Sequence, residues 1–268
     1  MRKAGYILFF LLLVHSRWLM ADITVLSWNT ARMGKFEKPE KNEVLRYLMK
    51  QDADVICLQE VDVYKDARYL TLAEVKECLG KKYPYSYLDF IVYDKRHQYG
   101  IVTWSKYPLI NKQSIHYETV GNMSNRCDIV VGKDTIRLFN NHLESYYFNP
   151  DDFDDIDRIE AKWRRAMPLR NQQARVVRAE IEASPYPVIV LGDFNSVALS
   201  YTYWHISRGL HDAWNTIHPW SWGATYDYRG IGLRIDYILS SDPLIPTDCF
   251  IAPFHSSDHR PVTATLAW

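Results

Sequence analysis

The chain predicts an α/β domain built on more than one β-sheet. Short apolar runs of strand type outnumber stretches of helical periodicity, and both short and long connections join them. Neither an internal repeat nor a linker divides the 268 residues, so one domain is expected.

The elements follow in chain order. Residues 23–28 (ITVLSW) are rich in β-formers and predict the first strand. Residues 39–50 predict a helix, with Val44, Leu45 and Leu48 on one face. The continuous apolar run 55–58 predicts a buried strand. Leu72, Val75 and Leu79 have helical spacing, and Gly80 follows as a stop. Residues 85–93 and 100–104 predict two strands joined through the polar turn 94–97, with Lys106-Tyr107-Pro108 closing that hairpin. Residues 126–131 and 135–139 predict a second pair around Gly132-Lys133-Asp134. From 151 to 183 acids crowd the start and bases follow. Ala174, Val177 and Ile181 make a helical stripe there, and Pro168 is expected to split two helices because it lacks an N–H. Residues 188–191 and 234–239 predict two more strands. At the end, Val262, Ala264, Leu266 and Trp268 alternate with Thr263, Thr265 and Ala267, a strand with one buried face.

A composition of 47% hydrophobic and 24% charged residues is globular and excludes disordered, collagen-like and low-complexity classes. Four cysteines are too few for a disulfide scaffold. Cys57, Cys78, Cys127 and Cys249 include no CxxC pair of zinc type. Cys57 lies in the apolar run 55–58 and reads as a small buried hydrophobe. An even count in an exported chain permits a disulfide without choosing one.

Residues 1–21 read as a separate object. Arg2-Lys3 is a basic start, residues 6–14 (YILFFLLLV) are an unbroken apolar run, and Ala21 is the expected cleavage point of a secretory signal. The run is shorter than the roughly 20 residues of a membrane span. The domain is therefore expected over 22–268, exported to a periplasm or the exterior; an uncleaved N-terminus would instead anchor it to a membrane. Removing 1–21 leaves 29 basic against 32 acidic residues, a net charge near −3. That balance disfavours non-specific coating of nucleic acid, which feeds on a basic excess.

Several predicted strands run into a carboxylate, amide or imidazole: Asn29, Glu60, His142, Asp193 with Asn195, and Asp258-His259 before the last strand. In layered α/β folds such ends open onto one edge, where ligand sites lie. The set Asn29, Glu60, Asp193, Asn195, Asp258 and His259 is nearly all oxygen donors, which suits Mg²⁺, Mn²⁺ or Ca²⁺ better than zinc. A hard cation that keeps waters for a phosphate implies phosphoester hydrolysis. Taken singly, most members have plainer readings: Glu60 as a solvated strand end, Gly192-Asp193 as a turn, His259 as a surface histidine. Asp236 does not, because a carboxylate flanked by apolar strand residues must find a partner, and His259 or His142 is the fitting one.

The segments VLSWN (25–29), ICLQEV (56–61), YGIVTWSKYPL (99–109), NNHLES (140–145), VIVLGDFN (188–195), RIDYILS (234–240) and SSDHRPV (256–262) together resemble the endonuclease/exonuclease/phosphatase superfamily, in its order and along the whole mature chain. That superfamily includes deoxyribonucleases, abasic-site endonucleases, sphingomyelinases, inositol polyphosphate phosphatases and deadenylases. The resemblance implies a four-layer α/β sandwich, two packed mixed sheets flanked by helices, and a Mg²⁺-dependent phosphoric ester hydrolase. By matching position it implies Glu60 as principal metal ligand with Asn29 beside it and Asp258 as a further metal-side carboxylate. It makes His259 and Asp236 a catalytic pair. Asp193 orients or deprotonates the attacking water, Asn195 holds that water or a phosphate oxygen, and His142 binds the phosphate or protonates the leaving oxygen. Whether His259 or Asp193 is the base stays open. One departure is Tyr99, preceded by Gln98, where many members have Asn before the glycine. The helical insert of about 146–183 follows His142 and either caps the site or packs as a surface helix pair.

The expected substrate is a phosphodiester, nucleic acid first and a lipid headgroup second. Trp204, Trp214, Trp220 and Trp222 lie near the expected rim, able to stack bases, meet lipid or simply pack. Lys162, Arg164 and Arg165 could serve a small polyanionic monoester instead. No stable protein partner is implied.

Overall fold

A computed structural model describes residues 21–35, 37–91, 95–119, 121–146, 155–228 and 230–268, and its backbone hydrogen bonds sort the strands into two six-stranded sheets and one small hairpin. The first half of the chain gives β1 (Asp22–Asn29), α1 (Ala31–Lys35), α2 (Glu43–Lys50), β2 (Val55–Tyr64), α3 (Leu72–Leu79), β3 (Tyr85–Ile91), β4 (His97–Ser105), β5 (Leu109–His116), β6 (Met123–Val131) and β7 (Asp134–His142). The second half gives α4 (Ile156–Glu182), β8 (Val188–Asp193), α5 (Tyr201–Ser207), β9 (His211–Asp212), α6 (Ala213–Ile217), β10 (Tyr226–Tyr228), β11 (Ile231–Leu233), β12 (Asp236–Ser240), β13 (Ile245–Ile251) and β14 (Val262–Ala267). One sheet has the order β13-β14-β1-β2-β4-β3 and the other β5-β6-β7-β8-β12-β9. Each mixes parallel and antiparallel pairs.

Strand alternation builds the layers. In β1, Ile23 and Val25 face the other sheet, with Cys57, Cys127, Leu138, Ile189 and Ala264 in the same cluster. Leu26 and Trp28 face outward onto Leu45 and Leu48 of α2 and Val75 of α3. Behind the second sheet, Phe139, Val190 and Leu239 meet Ala174, Val177 and Ile181 of α4. The result is the expected four-layer sandwich with two mixed sheets flanked by helices. Both predicted N-terminal helices are capped: Asn42 Oδ1 accepts the Leu45 N–H at 2.8 Å, and Thr71 with Glu74 forms a capping box. Gly80 ends α3 as expected.

The structure corrects several readings. Pro168 does not split two helices: α4 runs unbroken for 27 residues with Pro168 inside it. An interior proline costs about 3 kcal/mol, whereas each fully buried Val or Ile contributes about 1.5–3 kcal/mol, and the buried face of α4 continues past the proline. Lys106-Tyr107-Pro108 does not close the β3–β4 hairpin but carries the chain into β5 of the other sheet. Sequence reading missed β5 and β13, edge strands whose outer residues lack the apolar pattern. All four cysteines are free. Residues 1–20, where the secretory signal is expected, and 147–154 of the insert lie outside the described residues. No described helix is long and apolar enough to cross a membrane.

Gly192 brings β8 against β7. Its φ of +124° is one that side chains rarely adopt, and a Cβ there would lie 2.1 Å from the Asn141 carbonyl oxygen. Gly192→Ala is therefore expected to destabilise by at least about 2 kcal/mol, lowering the thermal midpoint by roughly 5 °C or more. An unchanged melting curve would refute this close approach.

Candidate active site at one edge of the sandwich

Register places the first row of the site. In the second sheet His142 pairs with Asp193 across β7 and β8, and Asp236 pairs with Asp193 across β12 and β8. Three polar side chains thus lie side by side at one sheet edge. In the first sheet Asn29 ends β1 opposite Gln59. Glu60 comes next, at a break in register between β2 and β4, with φ +52°. Such a bulge re-aims one side chain, and a left-handed non-glycine residue costs about 1–3 kcal/mol unless its surroundings fix it. Thr30 does so, its hydroxyl donating to the carbonyls of Gln59 at 3.1 Å and Glu60 at 3.2 Å. The end of β1 also holds the segment that carries His259. Trp28 Nε1 donates to the His259 carbonyl at 3.0 Å, and Ser257 Oγ donates to the Asn29 carbonyl at 3.0 Å.

The two rows meet at Asn29. Its Nδ2 donates to Glu60 Oε1 at 3.1 Å and to Asp193 Oδ2 at 3.0 Å. His142 Nε2 lies 3.5 Å from Glu60 Oε1 and 3.9 Å from Asp193 Oδ2. On the other side of Asp193, His259 Nε2 lies 3.7 Å from Oδ2, while its Nδ1 meets Asp236 Oδ2 at 2.9 Å. Asp193 also accepts the Asn195 backbone N–H at 2.8 Å and its Nδ2 at 3.2 Å. Apart from the partly exposed Glu60 and Asn195, these residues are buried.

Charge explains how this cluster behaves. Burial pushes the Asp193 carboxyl above the usual carboxylate range; His259 pulls it down and Asp236 pushes it up. Burial would depress the His259 imidazole, but Asp236 and Asp193 outweigh it and hold the pKa well above that of a free histidine. Asp193, Asp236 and His259 each offer a ligand atom within 4.8 Å of the others. Glu60 lies on the other side of the Asn29 amide and of His142 from that trio. Carboxylates gathered this closely favour a cation between them, and an oxygen-rich donor set fits a hard divalent ion.

Seven of the eight sequence-predicted residues converge here: Asn29, Glu60, His142, Asp193, Asn195, Asp236 and His259. Asp258 does not join them in hydrogen bonding. It is exposed, although its charge helps raise the His259 pKa. Asn29 presents its amide nitrogen to the carboxylates, because its Oδ1 accepts the Ala31 N–H at 3.1 Å. Tyr99 is buried on β4, opposite Asp62. The described part of the insert is a single helix, α4, packed behind the second sheet and not a helix pair. Sequence reading missed the supports. Gln59 Nε2 donates to Asn140 Oδ1 at 2.7 Å and ties the sheets together behind Glu60. Arg170 and Gln173 of α4 hold the loops after β7 and β8. Gln59 and Asn140 were detectable as amides directly following apolar runs, whereas Arg170 was marked among the basic residues of the insert only by its helical phase with Ala174.

Two sheets packed between helices, with acids and imidazoles gathered at one edge, define an α/β-sandwich hydrolase architecture. The model of the "Endonuclease/Exonuclease/phosphatase family" matches residues 26–259, and the chain belongs to that family of metal-dependent phosphoesterases. No curated protein matches it in sequence. Solved structures share the fold. An endonuclease/exonuclease/phosphatase from Beutenbergia cavernae superposes with a TM-score of 0.71 at 16% identity, over 92% of this chain and 71% of that one. A 3′ phosphatase from Neisseria, bound to a product DNA hairpin, gives 0.64 at 18% identity, over 92% and 100%. Sphingomyelinase C from Streptomyces griseocarneus gives 0.61 at 17% identity, over 91% and 99%.

The buried Asp236–His259 pair makes a stability prediction. His259→Ala leaves Asp236 without its imidazole and is expected to cost about 3 kcal/mol in urea unfolding at pH 7 with chelator present. Adding Asp236→Ala should recover part of that loss. A double variant as unstable as the sum of the singles would contradict the pairing.

Proposed function

We propose that the protein is an exported, Mg²⁺-dependent phosphodiesterase of nuclease type. The observation that carries this reading is the convergence of Glu60, Asp193, His142 and His259, from two sheets, around the Asn29 amide. A phosphodiester repels an anionic nucleophile, so the site must supply positive charge and a proton acceptor together. Glu60, with Asp258 at the rim and Asn29 after reorientation of its amide, would hold the divalent ion; Mn²⁺ or Ca²⁺ suits the same donors. When bound, such an ion withdraws charge from a phosphate oxygen and stabilises the leaving alkoxide.

The remaining steps belong to side chains. Both Asn195 amide hydrogens are spent, one on Leu143 O at 2.9 Å and one on Asp193. Its Oδ1 is what remains for a substrate-side group, which favours holding a water over a phosphate oxygen. Asp193, fixed by three donated hydrogen bonds, is placed to take that water's proton. His259 has its Nδ1 committed to Asp236, so Nε2 faces the phosphate as a donor. That geometry favours Asp193 as the base. His142 Nε2, on the other side of Asp193, is placed to protonate the leaving oxygen.

Two imidazoles suit a diester, which carries one negative charge and expels an alkoxide that needs a proton. A dianionic monoester would call for a ring of free cations. Arg164, one of the three basic insert residues considered for that role, instead pairs with Glu160 at the surface. A lipid headgroup is the second reading, favoured by the fully exposed Trp220 and by Trp222 and Leu199. Export rests on the apolar run 6–14. The described chain enters β1 at the end away from Asn29, about 23 Å along the strand.

The test is a panel of plasmid DNA, RNA, sphingomyelin, inositol phosphates, and mono- and bis-aryl phosphates, each with and without EDTA. Cleavage of the bis-ester and a nucleic acid, abolished by EDTA and restored by Mg²⁺, is expected; preference for the mono-ester or for sphingomyelin would overturn the nuclease assignment. Asp193→Ala and His259→Ala should each lower kcat at least about 10²-fold. His142→Ala should hurt DNA cleavage more than cleavage of an aryl diester, whose leaving group needs no proton. Sequencing the N-terminus of the secreted protein should find residue 22 first.

A further inference from the structure

We infer that Arg170, on the helix behind the second sheet, is a positioning residue whose single guanidinium locks the two chain exits carrying His142 and Asp193. Arg170 is 1% exposed. Its Nη1 donates to the Glu144 carbonyl at 2.9 Å and also to the Asn195 carbonyl. Glu144 lies two residues past His142, and Asn195 lies two residues past Asp193. One cation therefore clamps matching points on the loops that leave β7 and β8. Gln173, one turn further along α4, adds a second hold, its Oε1 accepting the Glu144 N–H at 2.8 Å. The loops also hold each other: Leu143 N–H donates to the Asp193 carbonyl at 3.0 Å, and Asn195 Nδ2 donates to the Leu143 carbonyl.

The energetics favour a positional role. Burial drives the Arg170 guanidinium pKa down, and none of the ion pairs among the described residues includes it. A buried charge without an ion-pair partner is less stable than an apolar side chain of similar size, unless its hydrogen bonds supply something apolar atoms cannot. Here they hold Asn195 at φ +49°, a left-handed conformation that asparagine tolerates only locally. In that conformation the Asn195 backbone N–H and side chain both reach Asp193. The Tyr146 ring lies 4.1 Å from the guanidinium carbon and walls its other face. With Nη1 engaged by both carbonyls, Arg170 acts through Asn195 and Glu144 and not on the phosphate.

The kinetic arm rests on the phosphodiesterase reading; a second arm does not. Arg170→Lys and Arg170→Met are compared in the full chain on the bis-aryl phosphate. Arg170→Met is expected to lower kcat about 10- to 100-fold with KM within about threefold, and Arg170→Lys to retain more activity. In an Asn195→Ala background the same change should cost much less, because the lever is already gone. Full additivity would overturn the inference. Independently of turnover, amide exchange at Leu143 and Asn195 should quicken in both variants while β1 and β2 stay protected; unchanged exchange at both loops would overturn it too. If Arg170→Met fails to fold, Arg170→Lys decides. A wild-type chain without phosphoesterase turnover would sink the enzymatic reading, and the exchange arm would still decide the role of Arg170.

Discussion

One amide between two carboxylates organises this edge of the molecule. Asn29 belongs to the first sheet and donates both to Glu60 of that sheet and to Asp193 of the other. Among the described residues no strand of one six-stranded sheet pairs with a strand of the other, so side chains carry much of the alignment of the two rows. Apolar packing sets the sheet spacing at about 10 Å, but it is non-directional and leaves sliding weakly restrained. Directional hydrogen bonds supply the restraint. Gln59 to Asn140 is one such tie, buried on both sides, and Asn125 to Asp89 at 3.3 Å is another. The polar seam between the sheets therefore aligns the site as well as bridging the sheets.

The same reasoning explains why the site edge carries strain. Glu60 and Asn195 have positive φ, as do Ala31, Arg32 and Met33 just beyond β1. A regular strand end would point Glu60 along the period-2 alternation, toward the core or the helices. The bulge breaks that alternation and turns one carboxylate onto the edge. Glu60 and Asn195 have outside support, Thr30 for Glu60 and Arg170 for Asn195. The strain is local and its supports come from neighbouring elements, so the sandwich around it stays regular.

How much of this was legible in the sequence follows from what each feature depends on. The buried strands were readable because apolar runs such as 188–191 admit few other environments. The polar residues at their ends were readable too, since seven segments in family order fixed Asn29, Glu60, His142, Asp193, Asn195, Asp236 and His259 before any coordinates. The edge strands β5 and β13 were not, because an exposed strand face has the composition of a loop. Pro168 misled for a related reason: local propensity forbids an interior proline, but the packing of α4 onto Phe139 and Val190 decides the outcome. Asp258 adjoins His259 in sequence, but it lies in the bend 255–258, where adjacency does not give two side chains one environment. His259 is buried and Asp258 faces solvent.

Arg170 illustrates the limit most sharply. Long-range hydrogen bonds to main-chain carbonyls leave no trace in residue type, because any carbonyl can accept them. A guanidinium that will be buried looks, in sequence, like its exposed neighbours Arg164 and Arg165. Only the phase of the helix separates them: Arg170 lies four residues after Ala166 and four before Ala174, both buried, and so shares their inward face. A charged residue at a core phase is the combination that burial energetics disfavours, and that conflict between position and chemistry is the sequence signal for a buried support. Asp236 inside an apolar strand carried the same conflict and was read correctly. On the helix the same conflict was open to reading, because Arg170 stands four residues before Ala174, on the same side of Pro168 as the stripe Ala174, Val177 and Ile181.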